Sequence, residues 1–271
     1  SYGDVHAGVD ICVNRISTVD EELVEQYNAI SGPLLDISRQ LQKSLLQQLK
    51  DKQRGGKQTG LMMGRRLDAH ALCRNDGKVF YKNALPNEIP QMSVGLLLDE
   101  SGSMCSCDRC TYARSSAIIL YDFCKALHIP VTVYGHSTSG NSVELYSYAE
   151  FESIDNDDKY RMMDIAARGS NRDGAALRFV AEQLVKRPEE ILILVSDGQP
   201  AAPGYYGSAA EEDLRGIRQE YRRKGVLFIA AAIGEDKQNI ERIYGDSFMD
   251  ITDLNQLPVK LTAAVKRHMR V

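Results

Sequence analysis

Two unbroken apolar runs, Val94-Gly-Leu-Leu-Leu98 and Ile191-Leu-Ile-Leu-Val195, each end in a polar turn, and neither alternates as a strand with one wet face would. The pattern suits strands buried on both faces, as in a parallel sheet. Further strands are expected over residues 131–135, 143–148 and 226–233, with a short one near 248–251. Between them apolar positions recur at helical spacing, which predicts helices over 112–127, 159–167, 175–186, 209–224, 239–244 and 257–270. Pro130 and Pro188 stand before strands, where a helix must already have ended. Strands alternating with helices specify an α/β domain with a doubly wound, mainly parallel sheet, and Pro86 and Pro90 mark where it begins.

The chain before it reads differently. Residues 1–15 show no clear periodicity and are expected to be a tether. Ser17 and Thr18, followed by Asp20, Glu21 and Glu22, supply hydroxyls and acids suited to a helix start. Leu23, Tyr27, Ile30, Leu34, Leu41, Leu45 and Leu49 then continue at helical spacing, and Gly32-Pro33 either divides this helix or bends it. Residues 51–60 are polar and glycine-rich and are expected to form a loop. Gly56-Lys57 within it is not a phosphate-binding loop, because Gln58 stands where Ser or Thr is required. Residues 61–72 read as helical again and 78–82 as a short strand. The expected organisation is an N-terminal helical extension over 1–88, with a flexible loop near 51–60, and the α/β domain over 89–271.

With 271 residues, 43% of them hydrophobic, the chain can bury one α/β core and carry an appendage. A formal net charge of -4 argues against a general electrostatic nucleic-acid binder. No apolar stretch approaches the roughly 18 residues of a membrane span. No basic segment followed by an apolar one opens the sequence, so the cytoplasm is the expected location. Six cysteines are too sparse for a disulfide scaffold. Cys105-x-Cys107-x-x-Cys110 can hold Zn²⁺ with Cys124 or His136 as a fourth ligand, or can lie reduced in a loop.

Chemistry concentrates at the ends of the apolar runs. Asp99-Glu-Ser101-Gly-Ser103 places a carboxylate and two hydroxyls on one turn, and hard oxygen donors of this kind suit Mg²⁺ or Mn²⁺. Ser196-Asp197-Gly198 ends a second strand in the same way. Between them Gly169-Ser170-Asn171-Arg172-Asp173-Gly174 is a polar loop running into a helix. In open α/β sheets such strand-end loops meet at the carboxyl edge, where ligands bind. A hydrolytic triad of Ser101 or Ser103 with His136 and Asp197 is disfavoured, because no Gly-x-Ser-x-Gly elbow surrounds Asp99; His136 reads better as a satisfied strand-end imidazole. An aspartyl phosphotransferase would carry a second acid where Ser101 stands.

In these residues the chain resembles the von Willebrand factor A (VWA) family, whose metal-ion-dependent adhesion site combines Asp-x-Ser-x-Ser, a Thr loop and a strand-end Asp. Asp99, Ser101 and Ser103 match the first loop and Asp197 the last. Asn171 occupies the position of the Thr. Its amide oxygen can ligate a hard cation, or Asp173 or Ser170 can substitute. The resemblance implies a Mg²⁺ or Mn²⁺ clasp whose open position takes an Asp or Glu from a client protein. From about Gln26 onward, Gly60-Leu-Met-Met-Gly-Arg-Arg-Leu-Asp-Ala-His-Ala71, Lys78-Val-Phe80, Asp99-Glu-Ser-Gly-Ser-Met104 and Asn171-Arg-Asp-Gly174 are similar to the C-terminal region of the CobT cobaltochelatase subunit and of NorD-type nitric oxide reductase activation proteins. That branch implies an adaptor without catalysis of its own, working with an AAA+ ATPase of the MoxR or chelatase type to mature a client enzyme. The alternative it implies is a non-ATPase chelatase subunit in tetrapyrrole metal insertion.

Overall fold

The computed structural model describes residues 4–16, 18–53, 57–73, 76–83, 92–153, 155–187, 190–196, 200–232 and 237–268. The chain divides into two compact units, one formed by Ser1–Gln42 with Gln91–Val271 and the other by Lys43–Pro90. This division replaces the expected boundary at 88/89, because the N-terminal segment takes part in the α/β unit.

The larger unit is built on a seven-stranded sheet. Its strands are β1 (Asp10–Arg15), β5 (Ser93–Asp99), β6 (Val131–Ser139), β7 (Ser142–Ala149), β8 (Glu190–Ser196), β11 (Leu227–Ala232) and β12 (Phe248–Asp250), in the order β1-β7-β6-β5-β8-β11-β12. All neighbours run parallel except β6 and β7, which are antiparallel. Those two are joined by Gly140-Asn141, with Gly140 at φ +60°. A two-residue hairpin of this kind needs positive φ at its first central position, which glycine adopts without steric cost. The chain leaves β5 toward β6 on one side and returns to β8 on the other, so the β5/β8 junction is the switch point of the sheet.

The sheet alternates its side chains between two apolar layers. Leu97, Leu192, Leu194, Phe228 and Ala230 pack with α4 (Asp173–Leu184), α5 (Gly207–Arg223) and α6 (Lys237–Tyr244) in one continuous core. By alternation Leu96, Leu98, Ile193 and Val195, all buried, face the other side. There α2 (Arg109–Ala126) contacts β5 and β6. The short helix α3 (Asp158–Arg161) lies against β7, and α7 (Leu257–His268) closes the sequence of described elements. The doubly wound, mainly parallel α/β architecture expected from the strand and helix pattern is therefore present.

Helix α1 spans Glu21–Gln53, with Leu23 N–H donating to Asp20 Oδ1 at 3.0 Å and Glu21 and Glu22 in the first turn. It continues through Pro33, so Gly32-Pro33 does not divide it. Within the larger unit Ser38 donates to Asp122 Oδ2 at 2.6 Å. The expected tether instead contains β1, paired residue by residue from Asp10↔Ser142 to Arg15↔Ser147. Its Val13 is 49% exposed while Ile11 packs half-buried against the core, so the strand is held by backbone pairing on the free edge of β7 and by one apolar contact. The helix expected over 159–167 shortens to α3 and a 3₁₀ turn at Met162–Asp164. Beyond it the backbone is drawn to the sheet edge, where Arg168 N–H donates to the Glu100 carbonyl at 2.6 Å.

The smaller unit contains a three-stranded antiparallel sheet of β2 (Lys57–Leu61), β4 (Phe80–Asn83) and β3 (Arg66–Leu67), in that order. Two expectations are corrected here. Within the expected loop over 51–60 the described residues belong to the end of α1 and to β2, and within the expected helix over 61–72 they form β3 and a 3₁₀ turn at Ala69–Ala71. Gly60 at φ +77° interrupts any helical continuation, and Asp68 caps the turn by accepting from His70 N–H. The hairpin β9 (Ala201–Ala202) and β10 (Tyr205–Tyr206) belongs to the larger unit.

Candidate metal centre

The carboxyl ends of β5, β6 and β8 bring three polar side chains to the switch point. Asp99 is the last residue of β5, its register partner on β6 is His136, and Ser196 ends β8. All three are buried. Ser196 Oγ donates to Asp99 Oδ2 at 2.9 Å, and Asn171 Nδ2 donates to the same oxygen at 3.0 Å. Asp99 Oδ1 accepts from Ser101 N–H at 2.8 Å, which folds the following turn back over the strand end. Ser101 Oγ and Ser103 Oγ then lie 2.9 Å apart. Ser103 is half-buried and Gly102 exposed, so this turn forms the solvent side of the centre.

The middle loop is tied to both flanking elements through its backbone. Thr138 N–H donates to the Ser170 carbonyl at 2.7 Å, Gly102 N–H to the Gly169 carbonyl at 2.7 Å, and Gly169 N–H to Ser137 Oγ at 2.8 Å. Asp173 opens α4. Its Oδ1 lies 3.2 Å from His136 Nε2 and 3.5 Å from Asn171 Nδ2. Donor atoms of Asp99, His136 and Asp173 all fall within 4.8 Å of one another.

Burial and the neighbouring Asp173 carboxylate push the Asp99 carboxyl above its ordinary range, against the opposing pull of His136 and of the Ser101 contacts. Burial disfavours a charged His136. Asp173, Asp99 and Glu100 nevertheless hold its pKa above the ordinary imidazole value. Two buried carboxylates this close are stabilised either by a proton shared between them or by a cation between or beside them. A divalent ion can serve as that cation, with carboxylate oxygens from Asp99 and Asp173 and hydroxyls from Ser101 and Ser103 as donors. The residues present therefore fit a metal.

Glu100 faces away from this cluster, as the strand alternation requires. Its carboxylate accepts from Tyr148 OH at 2.6 Å and from Arg168 Nε at 2.7 Å. Burial pushes its pKa up to about 7 against the pull of those two donors. Gly135 makes room for it, since a Cβ there would enter the Glu100 carboxylate and come within 3.0 Å of Tyr148 Cε2. Gly135→Ala is expected to lower the unfolding free energy by about 1–3 kcal/mol in a denaturant melt, as overpacked sites do.

Of the residues singled out in the sequence, the structure brings Asp99, Ser101, Ser103, Asn171 and Asp173 to one place. Asp197 lies outside the described residues, immediately after Ser196. The amide oxygen of Asn171, the atom through which a ligand role was expected, accepts from Ala201 N–H at 2.7 Å. That contact fixes the amide with its nitrogen toward Asp99. Ser170 is held by its backbone pairing with Thr138. His136 was expected to be a satisfied strand-end imidazole; its Nε2 lies within hydrogen-bonding reach of Asp173 Oδ1, but its buried Nδ1 has no partner among the described residues. The signal for it was positional: a polar ring at the end of a buried strand next to the one that ends in Asp99. Cys124 is buried and the Cys110 thiol faces the Ile165 carbonyl at 3.7 Å, while the Cys107 side chain lies outside the described residues. Tyr205 is buried against Asp213 and Tyr206 is 70% exposed.

No family model matches the chain. It is 25% identical over 206 residues, 70% of its length, to the uncharacterized protein YojO of Bacillus subtilis, of which the match covers 32%. The chain thus spans about a third of that relative. Among solved structures it is similar to the pilus adhesin SpaC of Lactobacillus rhamnosus GG (TM-score 0.49, 14% identity, 67% of this chain and 30% of the other). It is also similar to the mussel-byssus proximal thread matrix protein 1 with a zinc-occupied MIDAS motif (0.47, 18%, 65% and 47%) and to the SpRpn10 VWA domain (0.41, 16%, 66% and 95%).

Proposed function

We propose that the chain is a metal-dependent protein-binding adaptor. The observation that carries this reading is the buried meeting of Asp99, Asp173 and His136 at the switch point, with the Ser101–Ser103 turn on its solvent side. When bound, a divalent ion would supply a positive centre able to accept a carboxylate from outside. Asp99 and Asp173 would hold it, Ser101 and Ser103 would present it, and Ser196 and Asn171 would orient the Asp99 carboxylate by donating to Oδ2. The partner is then a client that offers Asp or Glu.

The sequence likeness to CobT and NorD-type proteins supports an AAA+ ATPase of the MoxR or chelatase type as the second partner, the pair maturing a client enzyme. The alternative on the same likeness is a chelatase subunit in tetrapyrrole metal insertion. Capture of the client from a lysate of the source cell, with Mg²⁺ or Mn²⁺ against chelator, tests the reading. Capture by the wild type should need the ion and should fall at least about tenfold in Asp99→Ala, and capture indifferent to both would refute a metal clasp.

A further inference from the structure

We propose that His136 is a nitrogen ligand of the ion, and that it makes the centre prefer a borderline transition metal such as Mn²⁺, Co²⁺ or Zn²⁺ over Mg²⁺. The inference rests on the metal-centre reading above and deepens it. A fully buried polar nitrogen usually has a hydrogen-bond partner, because an unsatisfied polar group is costly in the interior. His136 is 0% exposed, its Nδ1 has no partner among the described residues, and its Nε2 faces the Asp173 carboxylate. Its Nε2 is directed at the cluster, 3.2 Å from Asp173 Oδ1. Nitrogen and oxygen donors on a shared ion sit about 2.0–2.2 Å from it, which places them about 3.0 Å apart in an octahedral shell and about 3.4 Å apart in a tetrahedral one. The observed separation suits two ligands of one ion.

The middle loop points the same way. A hard-cation site would draw a neutral oxygen from Asn171, yet that oxygen accepts from Ala201 N–H and the amide nitrogen donates to Asp99. Among the described residues the shell is left with carboxylates, hydroxyls and an imidazole. Mg²⁺ favours oxygen donors and retains its waters, whereas imidazole suits Zn²⁺, Co²⁺ and related ions. The register of the sheet fixes this composition, since His136 is paired with Asp99 across β5 and β6.

The test is direct. Full-length chain labelled with ¹⁵N-histidine and loaded with Mn²⁺ is examined by electron spin echo, alongside His136→Phe, His136→Gln and Asp99→Asn. Competition between Zn²⁺ and Mg²⁺ is measured on the same proteins. The wild type should show ¹⁵N coupling from a bound imidazole, and the coupling should vanish in both His136 variants. Their preference for Zn²⁺ over Mg²⁺ should fall at least about tenfold. Binding that depends on Asp99 but shows no histidine coupling and an unchanged metal preference would overturn the role of His136 and leave the metal centre standing. Absence of any Asp99-dependent binding would overturn both. If neither His136 variant folds, the coupling in the wild type, compared with Asp99→Asn, still decides.

Discussion

Arg161→Ala is expected to lower the unfolding free energy by about 3–5 kcal/mol in a urea melt, the usual cost of leaving a buried charge without its partner. Arg161 is 2% exposed. It reaches Asp158 Oδ1 through Nη1 at 2.7 Å, Asp155 through both Nη atoms at 2.7 Å, and the Ile16 carbonyl through Nε at 2.9 Å. Its hydrogen bonds hold the Asp155 carboxyl well below the usual range. Asp158 is fully buried, and without Arg161 the cation left beside it among the described residues is Arg15 at 3.8 Å. The same truncation also removes the bond that fastens the end of β1. Arg39, whose partner Asp36 is equally exposed, is the control: Arg39→Ala should change stability by no more than about 0.5 kcal/mol. Similar losses in the two variants would show that burial of the Arg161 pair contributes nothing.

Asp99→Asn should separate folding from metal binding. In chelated buffer the variant is expected to stay folded with a loss of no more than about 1–3 kcal/mol, the cost of the Asn171 amide losing its acceptor when a nitrogen replaces Oδ2. An amide oxygen can still accept from Ser101 N–H, and the substitution removes a charge that burial and Asp173 both disfavour. With Mn²⁺ at about a hundred times its dissociation constant the wild type should gain roughly 2.7 kcal/mol, or about 5–10 °C in Tm, and the variant nothing. Equal gains would place the ion elsewhere on the chain.

The parts of this molecule that were legible in the sequence are those whose side chains carry a periodic burial signal. β5 and β8 are apolar at nearly every position because both faces are covered, and their ends announced Asp99 and Ser196. β1 carried no such signal, because its mixed exposure reflects backbone pairing on a sheet edge, which any sequence without proline can make. Residues 61–72 have helix-compatible spacing, yet Gly60 and the Asp68 cap redirect the chain locally and the antiparallel partner β4 supplies the bonds a helix would have made. In the centre, Asp99, Ser101 and Ser103 were visible as one short pattern. The orientation of the Asn171 amide depends on Ala201, thirty positions away, and no local pattern encodes it. His136 was visible as a residue but not as part of the cluster, since only the register of β6 against β5 sets it beside Asp99.

The central claim is that one divalent ion is held at the switch point by Asp99 and its neighbours. A Mn²⁺ titration that follows the electron paramagnetic resonance signal of the free ion tests it most directly. The account predicts that the wild type withdraws one ion per chain from solution and that Asp99→Asn, folded to the same degree, withdraws none. Identical free-ion curves for the two proteins would contradict it.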